Sequence, residues 1–238
     1  MIALSEFFQK LAAFFQDYGQ LILVKSREHL ELTLIAMLIA CAIAVPLGIA
    51  LARCRVRLLV NIVMGLVNVI QPVPSLALVA LVMTLFILIK LNLGVPLPGT
   101  GMGVGVTALV AYALLPIVRN TFTGLRQVDP TVVEVATGMG MTRRQILIAV
   151  EMPLALPVIM AGVRIATVWT IGTATLVSLV GAGGLGTLIF QGLSTYDVGL
   201  ILAGTLPAIA LALVGDWMLG LLERWLTPSG LREPPMRG

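Results

Sequence analysis

Glu134, Arg143, Arg144 and Glu151 lie close together in a chain that is otherwise almost continuously apolar, and Gly138 and Gly140 joint the segment that carries them. Charges at this density can do recognition chemistry, through ion pairs and charge-assisted hydrogen bonds to a soluble surface. They cannot sit unpaired in hydrocarbon, where each would cost about 2.5 kcal/mol or more at the bilayer centre. The segment is therefore expected to be a structured cytoplasmic loop. Asp129 and Pro130 supply an N-cap side chain followed by a proline at the first helical position, where its missing N–H costs nothing. A short helix should begin at Pro130 and end at Gly138 and Gly140, since glycine takes left-handed backbone angles freely. Thr142 and Gln145 then form a capping box for a second short helix, which Pro153 should stop.

Other residues invite a chemical reading. Gly181, Gly183 and Gly186 match Gly-x-Gly-x-x-Gly, but they follow an apolar helix and not a strand, so dinucleotide binding is rejected. With Gly184 they read either as a glycine-rich outer turn at the mouth of a pathway or as simple close helix packing. Trp169 could face a cation, or it could pack in the interior. Asp216 is an intramembrane carboxylate and hence a candidate for function, but its nearness to Arg224 favours solvation at the interface. His29, the only histidine, is expected at the outer water interface. Cys41 and Cys54 are not placed to pair, and two cysteines cannot make a structural zinc site. No metal site and no catalytic residue is expected. No Gly-x4-Gly-Lys-Ser/Thr phosphate loop occurs, so an ATPase would have to be another chain.

These residues must be positioned by membrane helices. The chain is 59% hydrophobic and 11% charged with a mean hydropathy of +1.06, far outside the soluble range. Its 238 residues are expected to make one all-α membrane domain, with no room for a soluble ligand-binding domain. About 20 apolar residues cross the hydrocarbon, which gives five spans at 30–51, 75–89, 103–118, 157–180 and 198–222. The apolar stretch 58–70 ends at Gln71-Pro-Val-Pro74 and reads as an interfacial or tilted helix, the alternative being a sixth span. Residues 1–29 form a separate expected element. Phe7, Phe8, Leu11, Phe14, Phe15 and Tyr18 recur at helical spacing opposite Glu6, Gln9, Lys10, Gln16 and Asp17, the pattern of an amphipathic helix on the outer leaflet. A cleaved signal peptide is disfavoured, because no basic region precedes the apolar stretch.

Basic residues set the expected orientation. Arg53, Arg55 and Arg57, then Arg119, Arg126, Arg143, Arg144 and Arg164, then Arg224, Arg232 and Arg237 form three clusters that the positive-inside rule places in the cytoplasm. The N-terminus is then outside and the C-terminus inside, with 223–238 as a cytoplasmic tail. The net charge of +4 is a topology signal, and nucleic-acid binding lacks the clustered basic face it would need.

The island also carries a resemblance. Glu134, Ala136, Gly140 and Pro153 have the spacing of the Glu-Ala-Ala loop in permease subunits of bacterial ABC importers, with Val135, Val150 and Met152 as apolar departures from that pattern. The stretches 70–78, 112–124 and 175–190 further resemble permeases of osmoprotectant importers for glycine betaine, carnitine, choline or proline betaine. The likeness covers roughly 30–222, while 94–103 and the N-terminal helix fall outside it. It implies a type I importer, methionine-permease-like transmembrane domain over 30–222, with a coupling loop at 129–153. Glu134, Ala136, Gly140, Arg143, Arg144 and Pro153 would then dock in a groove on the ATPase, and Gly181, Gly183, Gly184, Gly186 and Trp169 would belong to the pathway or its gate. The implied partners are an ATPase dimer carrying ATP and magnesium, a second permease subunit, a periplasmic or lipid-anchored binding protein, and inner-membrane lipid. The chain itself would be a transport subunit without cofactor, not an enzyme. The alternatives are a permease for methionine or another amine, or a secondary transporter or channel that needs no ATPase. The last class usually shows midplane ionisable groups and internal repeats, which the sequence lacks.

Overall fold

Four of the long helices carry an internal proline, Pro46, Pro116, Pro157 and Pro207, a habit tolerated in membranes where neighbouring groups re-satisfy the freed carbonyls. The computed structural model describes residues 2–70 and 72–227, and the side chains of 2–13, 15 and 70 lie outside that description. The described helices are α1 (Ile2–Arg53), α2 (Arg57–Ile70), α3 (Ser75–Leu93), α4 (Met102–Arg126), α5 (Pro130–Gly138), α6 (Arg143–Ile146), α7 (Met152–Ala174), α8 (Gly186–Thr195) and α9 (Val198–Leu226). A π-turn, Leu147–Glu151, links α6 to α7, and a 3-10 helix, Leu176–Val180, follows α7.

Five helical stretches are long and apolar enough to cross a membrane: Gln16–Arg53, Ser75–Leu93, Met102–Arg126, Arg143–Ala174 and Val198–Leu226. The shortest of them, α3, has 19 residues and is about 28 Å long, close to the hydrocarbon thickness of about 30 Å. Helix α2 has 14 residues and reaches only about 21 Å, so the interfacial reading of 58–70 fits and a sixth span does not. Gln71, within the expected break after it, lies outside the described residues.

The first expected boundary is corrected. Residues 1–29 are not a separate interfacial element, because α1 runs unbroken through 30. Nothing between Tyr18 and Leu30 stops a helix, and the pairs Lys25–Glu28 at 2.9 Å and Arg27–Glu31 at 2.7 Å bridge its turns. Nor does the described part of the amphipathic stripe lie open on a leaflet. Phe14, Tyr18 and Ile22 pack against Leu185, Leu188 and Ala203 of the α8 and α9 region. The Tyr18 hydroxyl donates to Asp197 at 3.3 Å, and its ring fills the space that a side chain at Gly199 would need. The remaining stripe residues, Glu6, Phe7, Phe8, Gln9, Lys10, Leu11 and Phe15, have side chains outside the described set.

The chain divides into two compact units. One comprises Met1–Met37, Val73–Val110 and Trp169–Leu213, with a core of Leu32, Val79, Val104, Leu109, Ala174 and Val177 besides the α8 cluster. The other comprises Leu38–Pro72, Ala111–Val168 and Val214–Gly238, with a core of Leu125, Ala155 and Ile159 against Val45, Ile49, Leu147 and Met152. Small residues bring backbones close in both, as expected where packing alone drives helix association. In the second unit a Cβ at Gly48 would meet Thr121 at 2.6 Å, and one at Gly162 would meet Asn120 at 2.5 Å.

Candidate functional site

The charged island folds as its spacing predicts in all but its last turn. Asp129 caps α5 by accepting from the Thr131 N–H at 2.8 Å, and this bond holds its carboxyl below the ordinary carboxylate range. At the other end the Met141 N–H bonds to the Ala136 carbonyl and the Gly140 N–H to Thr137, a Schellman closure with Gly140 at φ +83°. Gly138 stays helical, so only the second glycine supplies the left-handed turn. Thr142 and Gln145 form the reciprocal capping box of α6.

Pro153 does not stop the second helix. The backbone widens into the π-turn, with the Met152 N–H reaching back five residues to Leu147, and then continues as α7 with Pro153 in its first turn. A wider turn relieves the clash of the proline ring with the carbonyl four residues before it. The island thus leads straight into a membrane helix.

All six proposed coupling residues fall in the second unit. Glu134, Arg143 and Arg144 are exposed, Ala136 is buried at 2%, Gly140 forms the joint, and Pro153 stands at the entry to α7. Sequence reasoning missed the exposed apolar residues among them. Val132, Val135 and Met139 share one face of α5, Met139 at 70% exposure, and Ile148 stands out from the π-turn. Ile148 also lines a groove of about 420 Å³ with Thr142, Arg144, Gln145 and Ala149. The usable signal was their apolar type inside a segment too charged for hydrocarbon.

The glycine turn lies in the first unit. Gly181, Gly183 and Gly184 take φ of +81°, +85° and +83°, and Gly186 opens α8, a helix lying between the expected spans 157–180 and 198–222. Helix α1 shapes the turn. The Gly184 N–H donates to Glu28 Oε2 at 2.9 Å, while the same carboxylate is paired with Lys25. Side-chain positions at Gly183 and Gly184 would meet Glu28 at 2.8 Å and His29 at 3.1 Å. His29 is therefore not at a water interface: it is fully buried, with Nε2 at 3.0 Å from the Ile171 carbonyl. Sequence reasoning missed Glu28, which sits in the charged run Lys25-Ser-Arg-Glu-His-Leu-Glu31 and meets Gly184 156 residues away, so no local signal named the pair. Trp169 is 42% exposed, which is not the burial of a core-packing tryptophan.

Asp216 is not simply solvated. Arg164 of α7 grips it bidentately at 2.9 and 3.0 Å and also reaches Glu223 at 3.1 Å. Arg164 is thus held within a helix, not loose in the loop, and Gly220 leaves room for its guanidinium. Among the described residues no group of three or more His, Cys, Asp or Glu could hold a metal ion.

The described helices give a multi-span domain in which a capped, charged loop runs into one span. Residues 44–228 match the family described as binding-protein-dependent transport system inner membrane component. The chain belongs to this family, as an inner-membrane permease subunit and not an enzyme. It is 45% identical over 223 residues to the carnitine transport permease protein OpuCB of Listeria monocytogenes, covering 94% of this chain and 96% of that one. It is 41% identical to the choline transport system permease protein OpuBB of Bacillus subtilis (strain 168), with the same coverage. Its fold matches a chain of the MetNI methionine ABC transporter, inward facing, with TM-score 0.78 and 21% identity over 89% of this chain and 99% of that one. The fold is that of an ABC importer transmembrane domain, and a secondary transporter or channel is set aside.

Proposed function

We propose that this chain forms, with a second permease subunit that is identical or paralogous, the path by which a quaternary-ammonium osmoprotectant crosses the inner membrane. A separate ATPase dimer docks on 129–153 and binds ATP and magnesium, while this chain binds no cofactor. The observation that carries the docking is the exposure of apolar Val132 and Val135 on α5 and Met139 at its C-cap, in one loop with exposed Glu134, Arg143 and Arg144. Exposed apolar residues among charges, on a loop too polar for lipid, make a surface that a protein partner covers. ATP-driven approach of the two ATPase subunits would shift the docked loops together and switch the path between two packings.

The substrate class is supported by the relatives, whose names state carnitine and choline at 45% and 41% identity over almost the full length. Methionine is the weaker alternative, because the methionine transporter is 21% identical and speaks to the fold alone. A periplasmic or lipid-anchored binding protein delivers the substrate, recognising its cationic group against aromatic faces. The basic residues Arg53, Arg55, Arg57, Arg143, Arg144 and Arg224 support a cytoplasmic loop, an outside N-terminus and an inside C-terminus. Arg232 and Arg237 lie outside the described residues.

The test is uptake of labelled carnitine, choline, glycine betaine and methionine by the reconstituted complex with its binding protein. ATP-dependent uptake of the quaternary amines and not of methionine is expected, and the reverse overturns the substrate class. Cysteine labelling of Arg143 from the cytoplasm and Ser194 from outside checks the orientation, and labelling of both from one side breaks it.

A further inference from the structure

Arg53 is the last residue of α1, and its guanidinium reaches the island. One nitrogen, Nη2, donates both to the Arg143 carbonyl at 3.1 Å and to Glu151 Oε2 at 2.5 Å. Those acceptors bracket a single stretch, since Arg143 opens α6 and Glu151 closes the π-turn. The Arg143 carbonyl also accepts from the Leu147 N–H, which divides itself between Arg143 and Arg144 as helix ends commonly do, and Arg53 gives that carbonyl a second donor. At the far end Glu151 meets the same guanidinium, the two side chains being 18% and 35% exposed, so the pair is half-shielded.

A π-turn is rarely stable on its own account and recurs at functional positions. Here it is the piece of backbone between the docking surface of α5 and α6 and the membrane helix α7. Of the island's charges Glu151 is turned to Arg53 with its side chain 18% exposed and is not among the six residues assigned to docking, and Arg53 lies outside 129–153.

We infer that Arg53 is a positioning residue for transport, a brace that ties the start of α6 to the end of the π-turn and carries displacement of the loop into the end of α1. The inference rests on the docking of an ATPase to this loop. With the brace cut, the loop still folds on its own caps, the partner still docks, and ATP is still hydrolysed. What fails is delivery of that displacement to the membrane helices.

The whole complex, permease with ATPase and binding protein in proteoliposomes, tests this with Arg53→Ala, Glu151→Gln, Arg53→Glu and the exchange Arg53→Glu with Glu151→Arg. ATPase co-purification and hydrolysis should stay near wild type in Arg53→Ala and Glu151→Gln, while substrate moved per ATP falls roughly fivefold or more. The exchange should exceed Arg53→Glu by about threefold or more, as coupled partners do. It should stay below wild type, because the Arg143 carbonyl has lost its second donor. Wild-type transport per ATP in both single variants overturns the brace, and so does an exchange no better than Arg53→Glu. Equal loss of protein from the membrane in Arg53→Ala and the near-isosteric Glu151→Gln also overturns it, in favour of a merely structural pair. Failure of the wild-type chain to hold the ATPase would instead bring down the docking reading, and this inference with it.

Discussion

Gly140 and Gly181 close their helices with the same pair of backbone bonds and nearly the same φ, +83° and +81°, yet their surroundings are opposite. A side chain at Gly140 would meet nothing within 4 Å. Gly181 packs against Gly101, whose N–H bonds to the neighbouring Val180 carbonyl at 2.6 Å, and the turn that follows is filled by Glu28 and His29. One closure is a free joint set by local chemistry. The other is a joint whose shape is imposed from a distant helix. The first has open space around it, whereas the turn after the second cannot change without disturbing α1.

The sharpest way to break this contrast is Gly186→Val, since its Cβ would stand against the Thr175 carbonyl well inside contact distance. Overpacking against backbone should cost about 3 kcal/mol or more, and size-exclusion chromatography in detergent should show loss of the monodisperse peak. A normal peak would mean that the turn has slack. Gly183→Val and Gly184→Val combine left-handed strain with contacts to Glu28 and His29, each costing about 1–3 kcal/mol. Uptake should fall roughly tenfold or more while ATPase association persists, and normal uptake in both would reduce the turn to passive packing.

Gly140→Val carries only the backbone penalty of about 1–2 kcal/mol. The protein should stay in the membrane at wild-type level, with co-purified ATPase and uptake both reduced. If Gly140→Val and Glu134→Lys both keep wild-type association and coupled hydrolysis, the island is an ordinary loop. The smallest effects belong to the caps. Thr142→Ala should cost about 1 kcal/mol of local helix stability, read as faster amide exchange at Gln145. The Asp129 carboxyl is lowered on folding, so its capping is present above the ordinary carboxylate pKa of about 4 and is lost as pH falls through the folded value. Protection of the Thr131 amide, its exchange relative to the intrinsic rate at each pH, should therefore fall at the acid end, and Asp129→Asn should abolish that change in protection.

The same contrast decides what could be read in advance. Asp129, Pro130, Thr142 and Gln145 act within four residues of themselves, so both island helices and their caps were legible. The five spans followed from apolar length. Tyr18 with Asp197, Glu28 with Gly184 and Arg164 with Asp216 are meetings between residues far apart in the chain. No periodicity encodes them, which is why His29 was expected in water and Asp216 without its arginine. The π-turn escaped for a different reason: Pro153 signals a stop in an α-helix, and the chain answered by widening instead.

That widening has a consequence for how the chain can vary. A π-turn is an α-helix that has absorbed one surplus residue, so the faces before and after it keep the phase of a shorter helix. Deleting one residue within 147–151 should let the stretch tighten to α without rotating α7 about its axis. Adding one should swing every downstream side chain by about 100°, a full residue step around the helix. Length in this stretch is thus tolerant in one direction only, and α7 reaches the membrane already aimed.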